Sequence, residues 1–288
     1  MKIFKKIIRQ LPLIRFKIFG ARLLYFGTKL IYRSNQQIVV RNGIQYELDL
    51  TEGIDLSIFL FGDFQKHLFN EEFIRLPEKP VIFDIGANIG HMSLSYAKLF
   101  PGSTIFAFEP TDYAFEKFQK NLLLNIDLAK QIIVTKAFAS ETTKTNADIK
   151  AYASWKITGH RSQTDEIHPL HLGTVKKATQ TPSFKLDDFV LQNNIRQIDF
   201  IKIDTDGHEI EVLRGAEESI KKFRPVIIFE AGLAILSSKQ MNFNVFYEFF
   251  ENYDHSLINS KNGHLITEKN YKMEIPEKST TDILVIFK

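Results

Sequence analysis

Val81-Ile82-Phe83-Asp84-Ile85-Gly86-Ala87-Asn88-Ile89-Gly90 sets an apolar run against a glycine turn. A short continuous apolar run bounded by a turn signal reads as a buried strand, and glycine at the bend permits a positive φ and a close approach of other groups. The residues from about His91 to Phe100 read as a helix, so the stretch spells strand, turn, helix. The order then repeats outward: the run TIFAFEP, a helix near Tyr113 to Asn125, and the run IIVTKAF. It resumes with DFIKID at 199–204, a helical stretch from about Glu209 to Phe223, and PVIIFE at 225–230. Strands alternating with helices predict a parallel sheet with right-handed crossovers.

Beyond these five central strands come a helix near Asn244 to Asn252 and strand candidates at His255 to Ile258 and Asp282 to Phe287. No long helix separates the last two, which predicts an antiparallel pair at one edge. The expected fold is α/β: a Rossmann-like, doubly wound, mostly parallel seven-stranded sheet. An N-terminal extension precedes it. Asn42-Gly43 between QIVVR and IQYELDL is a hairpin signal of the type I′ kind, and Thr51 to Leu76, interrupted by Gly53 and Gly62, reads as two short helical pieces. The expected division is a basic arm at 1–36, a hairpin and helical segment at 37–80, and the main domain at 81–288 with an insertion near 146–181.

The 288 residues carry 44% hydrophobic side chains, 26 of them Phe, which is ample for a packed core. With no Cys there are no disulfides, thiolate metal sites or cysteine nucleophiles, which fits a reducing compartment and a cytoplasmic location. The net charge of +3 hides an asymmetry: residues 1–33 hold nine basic residues and no acidic one, leaving 28 basic against 34 acidic in the remainder. Lys and Arg interrupt the arm too often for a membrane-spanning helix, and Pro12, Arg15 and Lys17 break any secretory core. Its Ile, Leu, Phe and Tyr allow two readings: peripheral contact of residues 1–33 with an anionic membrane, or an apolar stripe packed on the body. An acidic body speaks against a nucleic-acid substrate.

The glycine turn departs from the dinucleotide fingerprint G-x-G-x-x-G, because Asn88 and His91 occupy its second and third glycine positions. The second strand instead ends in Glu109, a carboxylate that in a doubly wound sheet lies beside the first turn and can accept hydroxyl protons of a ribose. The pattern predicts an adenosine site built from Asp84, Gly86, Asn88, Gly90 and Glu109, with S-adenosyl-L-methionine as the cofactor. Asp84 would orient the loop or, through water, the ammonium of the methionine moiety.

Acceptor chemistry is expected where the later strands end. Asp204, Asp206, His208, Glu209 and Glu230 fall near the carboxyl edge, where ligands of such folds bind. Asp204 or His208 is the candidate base and Glu230 the group that orients the acceptor. Asp204-Thr205-Asp206 also spells the D-x-D of metal-dependent glycosyltransferases, but Asp206-Gly207 as a turn with Asp206 capping the next helix is preferred, and no metal is expected. In the insertion, His160, His168 and His171 read as loop residues, Trp155 as a core anchor and Arg161 as a solvated cation.

The blocks DIGANIG, FEP, LDDF at Leu186 to Phe189, KIDTDGHEIEVLRGA at Lys202 to Ala216 and RPVIIFE at Arg224 to Glu230 together resemble the FkbM family of class I methyltransferases. The resemblance runs from the hairpin to the C terminus and leaves out the basic arm. It implies methyl transfer from S-adenosyl-L-methionine to an oxygen, commonly a hydroxyl of a sugar, a glycan or glycolipid, or a secondary metabolite of polyketide type. The family more often has Glu at the position of Asp206 and a small or apolar residue at that of His208. The remaining alternatives are a D-x-D glycosyltransferase and a catalytically silent binding module.

Overall fold

The computed structural model describes residues 25–62, 68, 73–146, 151–152, 175–176, 178 and 180–288. Most of the basic arm, most of the insertion, and Trp155, His160, Arg161, His168 and His171 lie outside the described residues. So does most of the second helical piece expected before Leu76.

The chain forms the strands β1 (Gln36–Arg41), β2 (Ile44–Asp49), β3 (Val81–Ile85), β4 (Thr104–Phe108), β5 (Ile132–Thr135), β6 (Phe138–Ala139), β7 (Ala151–Tyr152), β8 (Val175–Lys176), β9 (Ser183–Phe184), β10 (Phe200–Ile203), β11 (Val226–Ala231), β12 (His255–Asn259) and β13 (Thr281–Phe287). The main sheet has seven strands in the order β12-β13-β11-β10-β3-β4-β5. Its five central strands are parallel, and β13 runs antiparallel to both β11 and β12. The chain winds from β3 outward to β5, then returns to place β10 on the other side of β3. The switch point therefore lies between β3 and β10, where open α/β sheets form their ligand crevice.

The helices are α1 (Gly53–Phe61), α2 (His91–Leu99), α3 (Asp112–Leu123), α4 (Ile126–Ala129), α5 (Leu186–Gln192), α6 (Glu209–Arg214), α7 (Glu217–Phe223), α8 (Leu233–Ser238), α9 (Asn244–Phe250) and α10 (Tyr271–Glu274). One helix was expected from Glu209 to Phe223, but the chain breaks it into α6 and α7. A Cβ on Gly215 would sit 2.0 Å from the Ser140 carbonyl oxygen, and the Gly215 carbonyl accepts the Asp187 N–H, so a neighbouring loop packs into the break.

Alternation along the strands divides the core between the two sheet faces. Phe83, Ile85, Ile201, Ile203, Ile227 and Phe229 pack on one face with α5 to α9. Ile82, Ile105, Phe200 and Ile228 pack on the other with Tyr46 and Leu48 of the hairpin, so the hairpin shares the core of the sheet. Asn121 and Asn125 fasten it further by accepting the Glu47 and Gln45 N–H groups. At 25 cal/mol per Å² of apolar surface, each fully buried Leu or Phe contributes about 2–3 kcal/mol toward offsetting chain entropy.

Candidate active site

The glycine turn is held on two sides. Gly86 has φ +78°, and a Cβ there would lie 1.8 Å from the Asp204 carbonyl oxygen, so only glycine lets the ends of β3 and β10 meet. Asn88 and Gly90 also take left-handed conformations, and Gly90 is the residue from which α2 starts.

Four amides of this turn, those of Gly86, Ala87, Asn88 and Gly90, are spent within the protein. The Gly86 and Ala87 N–H groups donate to the Phe108 carbonyl at 3.0 and 2.9 Å, Gly90 donates to Ala87, and Asn88 donates to Glu109 Oε2 at 2.9 Å. A phosphate cradle would have to point such N–H groups at the ligand. Here the turn faces a buried carboxylate instead, which accepts hydroxyl protons and repels a pyrophosphate.

Glu109 extends β4 and is buried. Its Oε1 also accepts the Thr111 N–H at 2.9 Å and the Thr111 hydroxyl at 2.6 Å. Burial pushes its pKa up, against the opposing pull of those Thr111 bonds, the Asn88 N–H and the Lys202 charge. A carboxylate has about four lone-pair sites. Three donors leave one open position on Oε2, so one ribose hydroxyl can bind directly; a second needs the Thr111 hydroxyl to swing away.

Asp84 is fully buried, accepts the Ser93 hydroxyl at 2.6 Å, and lies with Oδ1 3.1 Å from Lys202 Nζ. It therefore ties β3 to α2 and β10. Lys202 stands directly beside Asp84 in the β3·β10 register and is itself buried. It donates to the Gly86 carbonyl at 2.8 Å and lies 3.7 Å from Asp204 Oδ2. Burial disfavours its charge, but Asp84, Asp204 and Glu109 outweigh that and hold the ammonium above its ordinary range. One cation thus links the glycine turn with the Asp84 and Asp204 carboxylates.

Lys202, Asp204, Glu230 and Asp282 line a tight crevice beside the switch point, too narrow in this structure to admit a water molecule. Glu230 and Asp282 face each other in register across β11 and β13. Burial, then the charges of Asp204 and Asp282, push the Glu230 pKa well above the carboxylate range, against a hydrogen bond from Thr280. Both effects favour the protonated form of Glu230.

His208 occupies a separate corner, where its Nδ1 lies 3.1 Å from Lys239 Nζ and 3.5 Å from Glu211 Oε1. Asp206 is not the residue that immediately precedes the following helix. It has φ +53° in the turn, His208 is the residue before α6, and Glu209 reaches back to the Thr205 and Gly207 N–H groups at 3.0 and 3.1 Å. No group of three or more His, Asp or Glu residues suited to a metal is present among the described residues.

Residues 84–257 match the model of the methyltransferase FkbM domain. The chain belongs to the FkbM methyltransferase family. This FkbM chain is 31% identical over 151 residues to "Methyltransferase 1" of Beauveria bassiana, covering 49% of the chain and 60% of that protein. It is 26% identical over 160 residues to the 2-O-methyltransferase NoeI of Sinorhizobium fredii, covering 54% and 65%. To the hexuronic acid methyltransferase AglP of Haloferax volcanii it is 24% identical over 152 residues, covering 52% and 56%. The FkbM chain thus spans less than two thirds of each of these relatives.

The sequence reading passed over Lys202, Thr111, Asp282 and Lys239. Only Lys202 left a signal: it is the one charge inside the buried strand FIKI.

Proposed function

We propose that this FkbM protein transfers a methyl group from S-adenosyl-L-methionine to a hydroxyl of a sugar, glycan or glycolipid. The observation that carries the cofactor assignment is the Glu109 carboxylate facing a turn in which the Gly86, Ala87, Asn88 and Gly90 amides are already spent. That donor set suits a ribose hydroxyl and not a phosphate. When bound, the cofactor would supply a methyl carbon already activated by the sulfonium. The names of NoeI and AglP support oxygen and sugar-acid acceptors in this family.

Catalysis by positioning can supply up to about 7–11 kcal/mol in well-oriented systems, so the first task of the cleft is to fix the acceptor oxygen. We assign proton removal to Asp204, whose side chain is partly exposed at the end of β10. A positioned base contributes roughly 10²–10⁴-fold. Glu230, in the protonated form that burial favours, would donate a hydrogen bond that orients the acceptor. His208 Nδ1 is engaged by Lys239 and Glu211 away from the Asp204–Glu230 crevice, which argues against His208 as the base. Asp84 and Lys202 fix the turn, while Gly86, Asn88 and Gly90 shape the wall beside Glu109.

Calorimetric titration with S-adenosyl-L-methionine and S-adenosylhomocysteine, followed by a labelled-methyl screen of sugars and glycolipids, tests the proposal. Absence of binding by both ligands would end it. Methyl transfer only to polyketide-type alcohols would keep the chemistry and replace the acceptor.

A further inference from the structure

The described part of the basic arm turns its apolar side chains outward. In the helix at residues 25–31, Tyr25 and Thr28 face the body, while Phe26, Leu30 and Ile31 are 61%, 90% and 76% exposed. Packing on the body would have buried those three. The helix is nonetheless held in place: the Tyr25 hydroxyl donates to Asn35 Oδ1 at 3.0 Å, and the Tyr32 ring meets Phe59 edge-on at 5.3 Å. Lys29 and Arg33 are exposed beside the apolar residues. They close a stretch of 33 residues with nine cations and no acidic group.

We propose that the helix at residues 25–31, with the basic arm, is a docking face for an anionic lipid surface. Phe26, Leu30 and Ile31 would seat at the boundary between headgroups and acyl chains, and the cations would meet the headgroup phosphates. Both features are needed to choose the occupant. A second copy of the chain would bring two strongly cationic arms together. A nucleic acid would satisfy the cations but leave the exposed aliphatic side chains without a matching partner. A lipid surface satisfies both. Among the described residues no helix is long and apolar enough to cross a membrane.

Sedimentation of the full chain with phosphatidylglycerol-containing vesicles, and with phosphatidylcholine alone, tests this independently of methyl transfer. Binding is expected only to the anionic vesicles, with release as salt rises from about 0.05 to 0.5 M. Replacing Phe26, Leu30 and Ile31 together by Ser should weaken it at least about tenfold. The melting temperature should be unchanged, because these side chains are exposed. Leu191→Ser, an exposed apolar residue on α5, should bind as the parent does. The proposal fails if the full chain stays in the supernatant, or if the triple variant binds like the parent. It also fails if that variant abolishes a concentration-dependent dimer while no vesicle binding is seen.

Discussion

Lys202→Met removes the one cation facing a fully buried Asp84 and replaces it with an apolar side chain of similar length. Asp84 then keeps its hydrogen bond from Ser93 but loses its countercharge. Removing one partner of a buried ion pair costs about 3–5 kcal/mol, because the other charge stays desolvated. At about 2–4 °C per kcal/mol for domains of 150–250 residues, the melting temperature should fall by roughly 6–20 °C. Adding Asp84→Asn removes the stranded charge, and the double variant should recover most of that loss, since replacing both members of a buried pair is often close to neutral. The pH dependence follows from the raised pKa of Lys202. The stabilisation by a lysine raised in the folded state is fully present below its unfolded pKa, about 10.4, and is lost as pH rises through the folded value. The gap between parent and Lys202→Met should therefore be flat across neutral pH and narrow only above about pH 10. Differential scanning calorimetry on the four proteins of the cycle measures all of this. A Lys202→Met variant melting within about 2 °C of the parent, or a double variant no better than the single, would refute the central role given to this ion pair.

Gly86→Ala should cost about 2–5 kcal/mol in thermal denaturation, from the left-handed backbone and the clash with the Asp204 carbonyl together, and should weaken cofactor binding. Glu109→Ala leaves the Asn88 and Thr111 N–H groups without their acceptor, and calorimetry should show at least a tenfold weaker cofactor, about 1.4 kcal/mol. Glu230→Gln keeps a neutral donor, so it should retain activity at neutral pH, and the parent, unlike the variant, should lose activity as rising pH ionises Glu230. Activity of the variant falling to that of Asp204→Asn would instead make Glu230 the base. The sign for stability is the same: a carboxyl with a raised folded pKa binds more protons when folded, so its contribution is lost as pH rises from about 4.3 through the folded value. Glu230→Gln should accordingly gain on the parent in melting temperature with increasing pH.

The alternation of strands and helices, the antiparallel edge and the place of Glu109 were legible because each rests on a local pattern: an apolar run, a glycine turn, a charged residue ending a strand. Lys202 was overlooked although the alternation inside FIKI puts it on the same face as Phe200, and the register then sets it beside Asp84. Asp282 could not be read locally, because its meeting with Glu230 depends on how a strand 52 positions later pairs with β11. The break between α6 and α7 depends on Ser140 approaching Gly215, a tertiary contact to which helical periodicity is blind. Asp206 was given the cap because Asp favours that position. Its positive φ moved the work to Glu209, whose carboxylate reaches back over the turn.

The hairpin links the two proposed surfaces. From Gln45 and Glu47 of the hairpin to Asp55 of α1, the contacts run from Asn125, just past α3, through Asn121 to Lys117, toward the end at which α3 leaves Glu109. Asn35 closes the hairpin at that upper end by accepting the Leu50 N–H, and the same Asn35 receives the Tyr25 hydroxyl. The outward-facing helix is therefore tied to the end of the hairpin nearest the carboxyl edge of the sheet. A protein docked on lipid through Phe26, Leu30 and Ile31 would hold its acceptor cleft close to the headgroups. Lipid-linked sugars then become the acceptors to test first. The prediction is a coupling: the triple Ser variant should lose methyl transfer to a vesicle-borne glycolipid while keeping transfer to the same sugar free in solution. Equal loss on both acceptors would show that the helix serves the fold of the site and not its placement.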